Sequence, residues 1–209
     1  MQPNCNTKAM SDVMYRVNEI FYSLQGEGRH TGRAAVFIRF SGCNLNCPFC
    51  DTDFKAYRPM TAADIVNAIS QWRDCGFVVL TGGEPSLQAD DALVEALHLA
   101  GFYVAVETNG THPLPVSVDW VTWSPKDMFL EHVPPLAMKK LDEIKVVFDG
   151  KHNPECYRAI STDAYLCLQP CDTGNDERNR LITSQCVAYI LHHPHWHLSL
   201  QTHKLINIQ

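Results

Sequence analysis

Short runs of β-branched and aromatic residues alternate along this chain with segments of helical periodicity, a pattern that restricts it to an α/β architecture built on buried parallel strands. Strands are expected at 34–40, 77–81, 103–108, 119–124, 143–148, 164–169 and 197–202. Three helices fit between them. Residues 61–75 open with Thr61 as an N-cap and Asp64 three residues on. In 86–101, Leu87, Leu93, Val94, Leu97 and Ala100 share a face and Gly101 ends the segment. The third helix, 175–193, is halted by Pro194. A parallel sheet or partial barrel follows, with no repeat and no linker to divide it. Residues 1–209 are therefore expected to form a single domain, with 1–14 as a flexible extension.

Composition narrows the function. A formal net charge of -6, from 17 Lys+Arg against 23 Asp+Glu, provides no global positive field for phosphate backbones, so no nucleic-acid partner is expected. No stretch approaches the roughly 18 apolar residues of a membrane span, and the N-terminus lacks a leader pattern, so neither membrane nor export is expected and the location is read as cytoplasmic. In that reducing compartment nine cysteines point to metal ligands or buried thiols rather than a disulfide framework.

In parallel α/β folds ligands sit beyond the carboxyl ends of the strands. There the sequence places Cys43 to Cys50, Gly82-Gly83-Glu84-Pro85, Asn109-Gly110, Ser124-Pro125-Lys126, Gln169-Pro170 and Thr202-His203-Lys204. Cys43, Cys47 and Cys50 stand at C-x3-C-x2-C spacing, so three thiolates can wrap one inorganic centre. Structural zinc wants four ligands in two pairs, and Cys167 and Cys171 are poorly placed to supply the second. Three cysteines on a four-iron cluster would leave one iron open to another ligand. Zinc, a redox thiol and a purely structural loop remain the competing readings.

The loop, with Phe49 before its last cysteine and a GGEP segment after the second expected strand, resembles the signature of radical S-adenosylmethionine (SAM) enzymes. FYSLQGEG at 21–28, ahead of the first expected strand, joins Arg39, CDTD at 50–53, ETNGT, SPK, LQP and a terminal LSLQTHK. Together they resemble the 7-carboxy-7-deazaguanine synthase family over about nine tenths of the chain. The resemblance implies an abbreviated, partly open (β/α) barrel of the radical SAM type. It implies a lyase that contracts 6-carboxy-5,6,7,8-tetrahydropterin to 7-carboxy-7-deazaguanine with loss of ammonia, in queuosine and 7-deazapurine biosynthesis. A 4Fe-4S cluster and SAM would supply the radical, Mg2+ would assist, and a flavodoxin or ferredoxin would reduce a homodimeric enzyme.

Carried over residue by residue, Cys43, Cys47 and Cys50 would ligate the cluster and Thr52 the magnesium. Phe49, Asp51, Gly83, Glu84, Ser124, Pro125, Lys126, Gln169 and Pro170 would line the SAM pocket. Leu24, Gln25, Gly26 and Glu27 would bind the pterin, Arg39 its carboxylate, and Thr81, His203 and the terminal Gln209 would also touch substrate.

Plainer readings stand beside these. Asp51 and Asp53 could form Asx turns, and Glu84 could start a helix. Cys5, Cys75, Cys156, Cys167, Cys171 and Cys186 read as buried or incidental thiols, and Trp72, Trp120, Trp123 and Trp196 as core or subunit contacts. His192, His193, His195 and His197 read as a solvated turn. Two other functions compete: a glycyl-radical-enzyme activase, which leaves LQGEG and QTHK unexplained, and a non-catalytic iron-sulfur or zinc module.

Overall fold

A computed structural model describes residues 13–50, 56–161 and 163–209. Nine strands form one sheet: β1 (Tyr15–Leu24), β2 (Ala34–Phe40), β3 (Arg58–Met60), β4 (Phe77–Gly82), β5 (Tyr103–Thr108), β6 (Trp120–Trp123), β7 (Glu143–Phe148), β8 (Tyr165–Pro170) and β9 (His197–Leu198). Their order is β3-β1-β2-β4-β5-β6-β7-β8-β9, so the sheet does not close. From β2 through β9 every pairing is parallel, whereas β1 runs antiparallel to both β2 and β3.

The expected partial barrel is therefore present, with two strands the sequence pattern did not suggest. FYSLQGEG does not precede the first strand: its first four residues are the end of β1, in register with β2 down to Leu24 opposite Ala34. Along β1 polar and apolar residues mix because only its start, Tyr15 and Val17, is fully buried. The expected strand at 197–202 is also corrected. Only His197 and Leu198 pair with β8, after which the chain turns into α5 (Thr202–Leu205).

The helices follow from their caps. In α1 (Ala62–Ile69), Thr61 and Asp64 make a capping box, Asp64 N–H donating to the Thr61 hydroxyl at 3.1 Å and Thr61 N–H to the Asp64 carboxylate at 2.9 Å. The expected continuation to residue 75 is instead a 3-10 turn, ended by Gly76 at φ 61°. Asp90 caps α2 (Asp91–Leu99), which begins five residues later than expected because Pro85–Leu87 forms a separate 3-10 turn; Leu87 is consequently exposed rather than on the buried face. A short α3 (Glu155–Arg158) precedes β8, and α4 (Asp176–His192) starts at its Asn175 cap.

Period-2 alternation sorts each parallel strand between two faces. Val36, Ile38, Val78, Leu80, Val104 and Val106 pack outward against Ile65 and Ile69 of α1 and Leu93, Val94 and Leu97 of α2. Ile144, Val146, Leu166 and Leu168 pack in the same way against Ile182 and Cys186 of α4. Each such side chain contributes about 1.5–3 kcal/mol by leaving water. On the other face Ala35, Phe37, Phe77, Val79 and Ala105 form a small apolar base. Above it, toward the strand carboxyl ends, the inward residues become polar.

The histidine-rich segment is not a simply solvated turn. Trp196 is fully buried, with its indole N–H donating to Glu155 at 2.7 Å, and His195 contacts the same carboxylate at 2.9 Å. Of the described extra thiols, Cys167 and Cys186 are buried and Cys156 is exposed.

Candidate active site at the strand carboxyl ends

A cavity of about 1220 Å³ opens inside the half-barrel, with the cysteine loop on its rim and charged side chains on its floor. The loop leaves β2 through Gly42, against which the turn after β4 is pressed. Glu84 N–H donates to the Gly42 carbonyl at 2.9 Å and Gly83 N–H to the Phe40 carbonyl at 3.0 Å. A Cβ on Gly83 would overlap the Gly42 carbonyl, so only glycine permits this approach. Glu84 is 1% exposed and accepts from Ser86 N–H at 2.9 Å, the Thr108 hydroxyl at 2.6 Å and Asn109 N–H at 2.7 Å. It thereby caps the 3-10 turn, as the plainer reading held, and ties β4 to the end of β5. Asn109 reaches the loop itself, donating to Asn44 at 3.0 Å, while Asn44 donates to Thr111 at 2.9 Å.

Cys43, Cys47 and Cys50 all line the cavity and all are free thiols. Burial pushes Cys43 and Cys47 up from the usual thiol range, helped by Glu84 at Cys43 and by the neighbouring thiols at both, so a cation is needed to hold both as thiolates. Among the described residues no three His, Cys, Asp or Glu side chains converge on a point that could hold a single metal ion. Three thiols spread around one rim fit a cluster of several irons that leaves one iron for a non-protein ligand. Phe49 stacks edge-on against Phe129 at 4.8 Å, and the Lys126 ammonium lies 5.9 Å from the Phe49 ring. Lys126 donates to the Ser124 carbonyl and hydroxyl; burial lowers its pKa, while the nearby Cys47 acts the other way.

The floor is built from distant segments. Lys145 of β7 donates to Glu27 at 2.6 Å and to Glu107 of β5 at 2.7 Å. Gln25 donates to Glu107 at 3.3 Å and Gln201 to Glu27 at 3.0 Å. Burial alone would raise Glu27, but Lys145 and the flanking amides hold it down to about 2; Glu107 is raised, its burial outweighing Lys145. Lys145 is raised despite its burial because carboxylates surround it.

The C-terminal segment closes one side. Thr202 donates to the Gly26 carbonyl through both its N–H, at 3.0 Å, and its hydroxyl, at 2.8 Å. His203 packs on Gly26 so closely that a Cβ there would overlap its ring. Ser199 donates to Gln169 at 2.9 Å, Lys204 to Asp172 at 2.9 Å, and Gln209 to Glu19 at 2.9 Å, while Ser23 donates to the Gln209 carbonyl at 2.5 Å. Glu19 also holds Arg39 through its Nε at 2.7 Å.

Of the residues singled out from sequence, Leu24, Gln25, Gly26, Glu27, Arg39, Thr81, Gly83, Glu84, Ser124, Lys126, Gln169, Pro170, His203 and Gln209 line this cavity with the three cysteines and Phe49. Pro125 is buried between Ser124 and Lys126. Asp51, Thr52 and Asp53 lie outside the described residues, as does Cys5. Sequence reasoning missed Lys145 and gave no role to Glu107, Asn109 and Gln201, although the ETNGT and LSLQTHK segments contain them. A signal for two of them existed: Glu107 and Lys145 are charged residues at inward positions of otherwise apolar parallel strands.

Comparisons with known proteins agree on one family. A model described as the Radical SAM superfamily matches residues 37–121. The 7-carboxy-7-deazaguanine synthase of Bacteroides thetaiotaomicron is 50% identical over 197 residues, covering 94% of this chain and 100% of that protein. The enzyme of that name from Caulobacter vibrioides is 44% identical over 218 residues, with the same coverage. Among solved structures, the crystal structure of QueE from Escherichia coli is 27% identical and superposes with a TM-score of 0.71 over 90% of this chain and 93% of that one.

Proposed function

This chain belongs to the 7-carboxy-7-deazaguanine synthases of the radical SAM superfamily, and from that premise we propose which of its residues perform the reaction. It is a lyase that contracts 6-carboxy-5,6,7,8-tetrahydropterin to 7-carboxy-7-deazaguanine, in queuosine biosynthesis. Product and substrate differ by one ammonia, so ring contraction and ammonia loss form one balanced conversion. The observation that carries the assignment of residues is the two-ended cavity, with thiols on its rim and hydrogen-bonding charges on its floor.

Cys43, Cys47 and Cys50 would hold the 4Fe-4S cluster, which with SAM would supply the radical chemistry that removes hydrogen from a substrate carbon. Phe49 offers a flat apolar face to SAM, and the Gly83 turn brings bare backbone beside it, with Glu84 fixing that turn. Ser124, Pro125, Lys126, Gln169 and Pro170 complete the wall. On the substrate side Arg39, oriented by Glu19, takes the pterin carboxylate in a charge-assisted fork. Leu24, Gln25, Gly26, Glu27 and Thr81 bind the heterocycle, and His203 and Gln209 shut the side of the cavity against water.

Asp51 and Thr52 follow the last cysteine in sequence, and their oxygen donors suit SAM and a hard cation, so Mg2+ at Thr52 is included in this reading. A flavodoxin or ferredoxin is the reductant in this reading, the location is cytoplasmic, and the enzyme is a homodimer.

The test is an anaerobic assay of reconstituted protein with SAM, reductant, Mg2+ and 6-carboxytetrahydropterin, following product by mass and ultraviolet absorbance. Formation of 7-carboxy-7-deazaguanine, slowed by chelating magnesium, is expected. SAM cleavage without that product would overturn the substrate assignment.

A further inference from the structure

Lys145 is 5% exposed, and its ammonium bridges two carboxylates that reach it from different parts of the chain, Glu27 after β1 and Glu107 on β5. The other titratable groups facing it are Glu143 on its own strand, Lys126 after β6, and Cys167, its register partner on β8. Glu143 is taken up by Arg29 N–H at 3.2 Å and the Trp120 indole at 3.3 Å. Lys145 is thus the cation held directly between the two floor carboxylates, and no motif singled out in the sequence contains it.

We propose that Lys145 is a positioning residue for the substrate: by spanning Glu27 and Glu107 it sets the spacing and distinct roles of the two carboxylates that read the donor–acceptor edge of the heterocycle. This rests on the pterin reading above. An aminopyrimidinone edge carries adjacent N–H donors beside a carbonyl acceptor. Two carboxylates held alike cannot serve both, whereas one held as an anion and one that takes up a proton more readily can. The floor is biased toward that division. Lys145 and the amides of Gln201 and Gln169 favour the anion at Glu27, while burial and the neighbouring Glu143 and Glu27 favour the acid at Glu107. Without Lys145, only hydrogen bonds from neighbouring amides oppose the burial of Glu27 and Glu107, and both rise.

The test uses reconstituted holoenzyme with SAM, titrated calorimetrically with 6-carboxytetrahydropterin, together with KM and kcat as functions of pH. Lys145→Met is expected to raise Kd and KM about tenfold or more, with a smaller change in kcat, as for a lost charge-assisted contact. Its binding should also weaken more steeply on acidification than that of the unaltered chain, because Glu27 takes up a proton more readily once its cation is gone. A purely structural lysine would lower the melting temperature of Lys145→Met yet leave Kd, KM and the acid limb unchanged, which overturns the proposal. Should Lys145→Met fail to fold, Glu27→Gln and Glu107→Gln decide: Glu27→Gln is expected to weaken binding more, since Gln at 107 still donates, and equal losses overturn the proposal. No pterin binding by the unaltered chain would remove the functional reading and this inference together, whereas binding that Lys145→Met matches removes the inference alone.

Discussion

The rim and the floor of the cavity are held by different physics. On the rim, glycines let backbone touch backbone, and Glu84, Asn44 and Asn109 satisfy neighbouring main-chain and amide groups within short loops. On the floor, Gln25, Glu27, Glu107, Lys145 and Gln201 meet through long side chains from four stretches of sequence. Shape decides the rim, since a single added carbon has nowhere to go. Charge decides the floor, since a buried ammonium needs its carboxylates and a buried carboxylate its ammonium.

The contrast is sharpest where chemistry depends on one atom. Cys47→Ala should abolish turnover and lower iron content and visible absorbance after reconstitution, while the floor remains folded by circular dichroism. Full activity would remove the thiol rim from the site. Gly83→Ala should cost roughly 1–3 kcal/mol in urea unfolding because the Gly42 carbonyl must move aside. It should weaken SAM binding more than pterin binding, and a neutral result would mean that the rim yields.

Acid tests the floor instead. Glu27 has a folded pKa of about 2 against an ordinary 4.5, so its contribution to stability is complete above about 4.5 and is lost as pH falls toward 2. Glu107, raised by burial, works in the opposite direction and favours the fold where it is protonated. Melting temperature should therefore drop on acidification below about 4.5, and by less in Glu27→Gln, which lacks the titrating group. An unchanged acid slope in that variant would assign the loss to other carboxylates. The smallest effect belongs to neither region: Thr61→Ala removes the α1 cap and should cost about 1 kcal/mol with no change in KM.

The difference between rim and floor is also the difference between what could be read from sequence and what could not. Cys43-x3-Cys47-x2-Cys50, Gly82-Gly83-Glu84-Pro85 and Ser124-Pro125-Lys126 are contiguous, and each follows an expected strand, so pattern alone put them at one end of a parallel sheet. The helix cap at Thr61 was equally local. β1 was missed because a strand with one buried end lacks clean alternation, and 197–202 was overextended because the chain leaves β8 after Leu198 and turns so that Thr202 bonds Gly26.

By itself, then, the sequence determined the alternation of strands and helices, the cysteine loop and the glycine turn, because each depends on residues within a few positions of one another. Tertiary structure alone decided that Glu107 and Lys145 face inward to meet Glu27, and that Thr202 and His203 return to Gly26. Those contacts join residues 38 to 177 positions apart, and only the curvature of the parallel sheet brings them together.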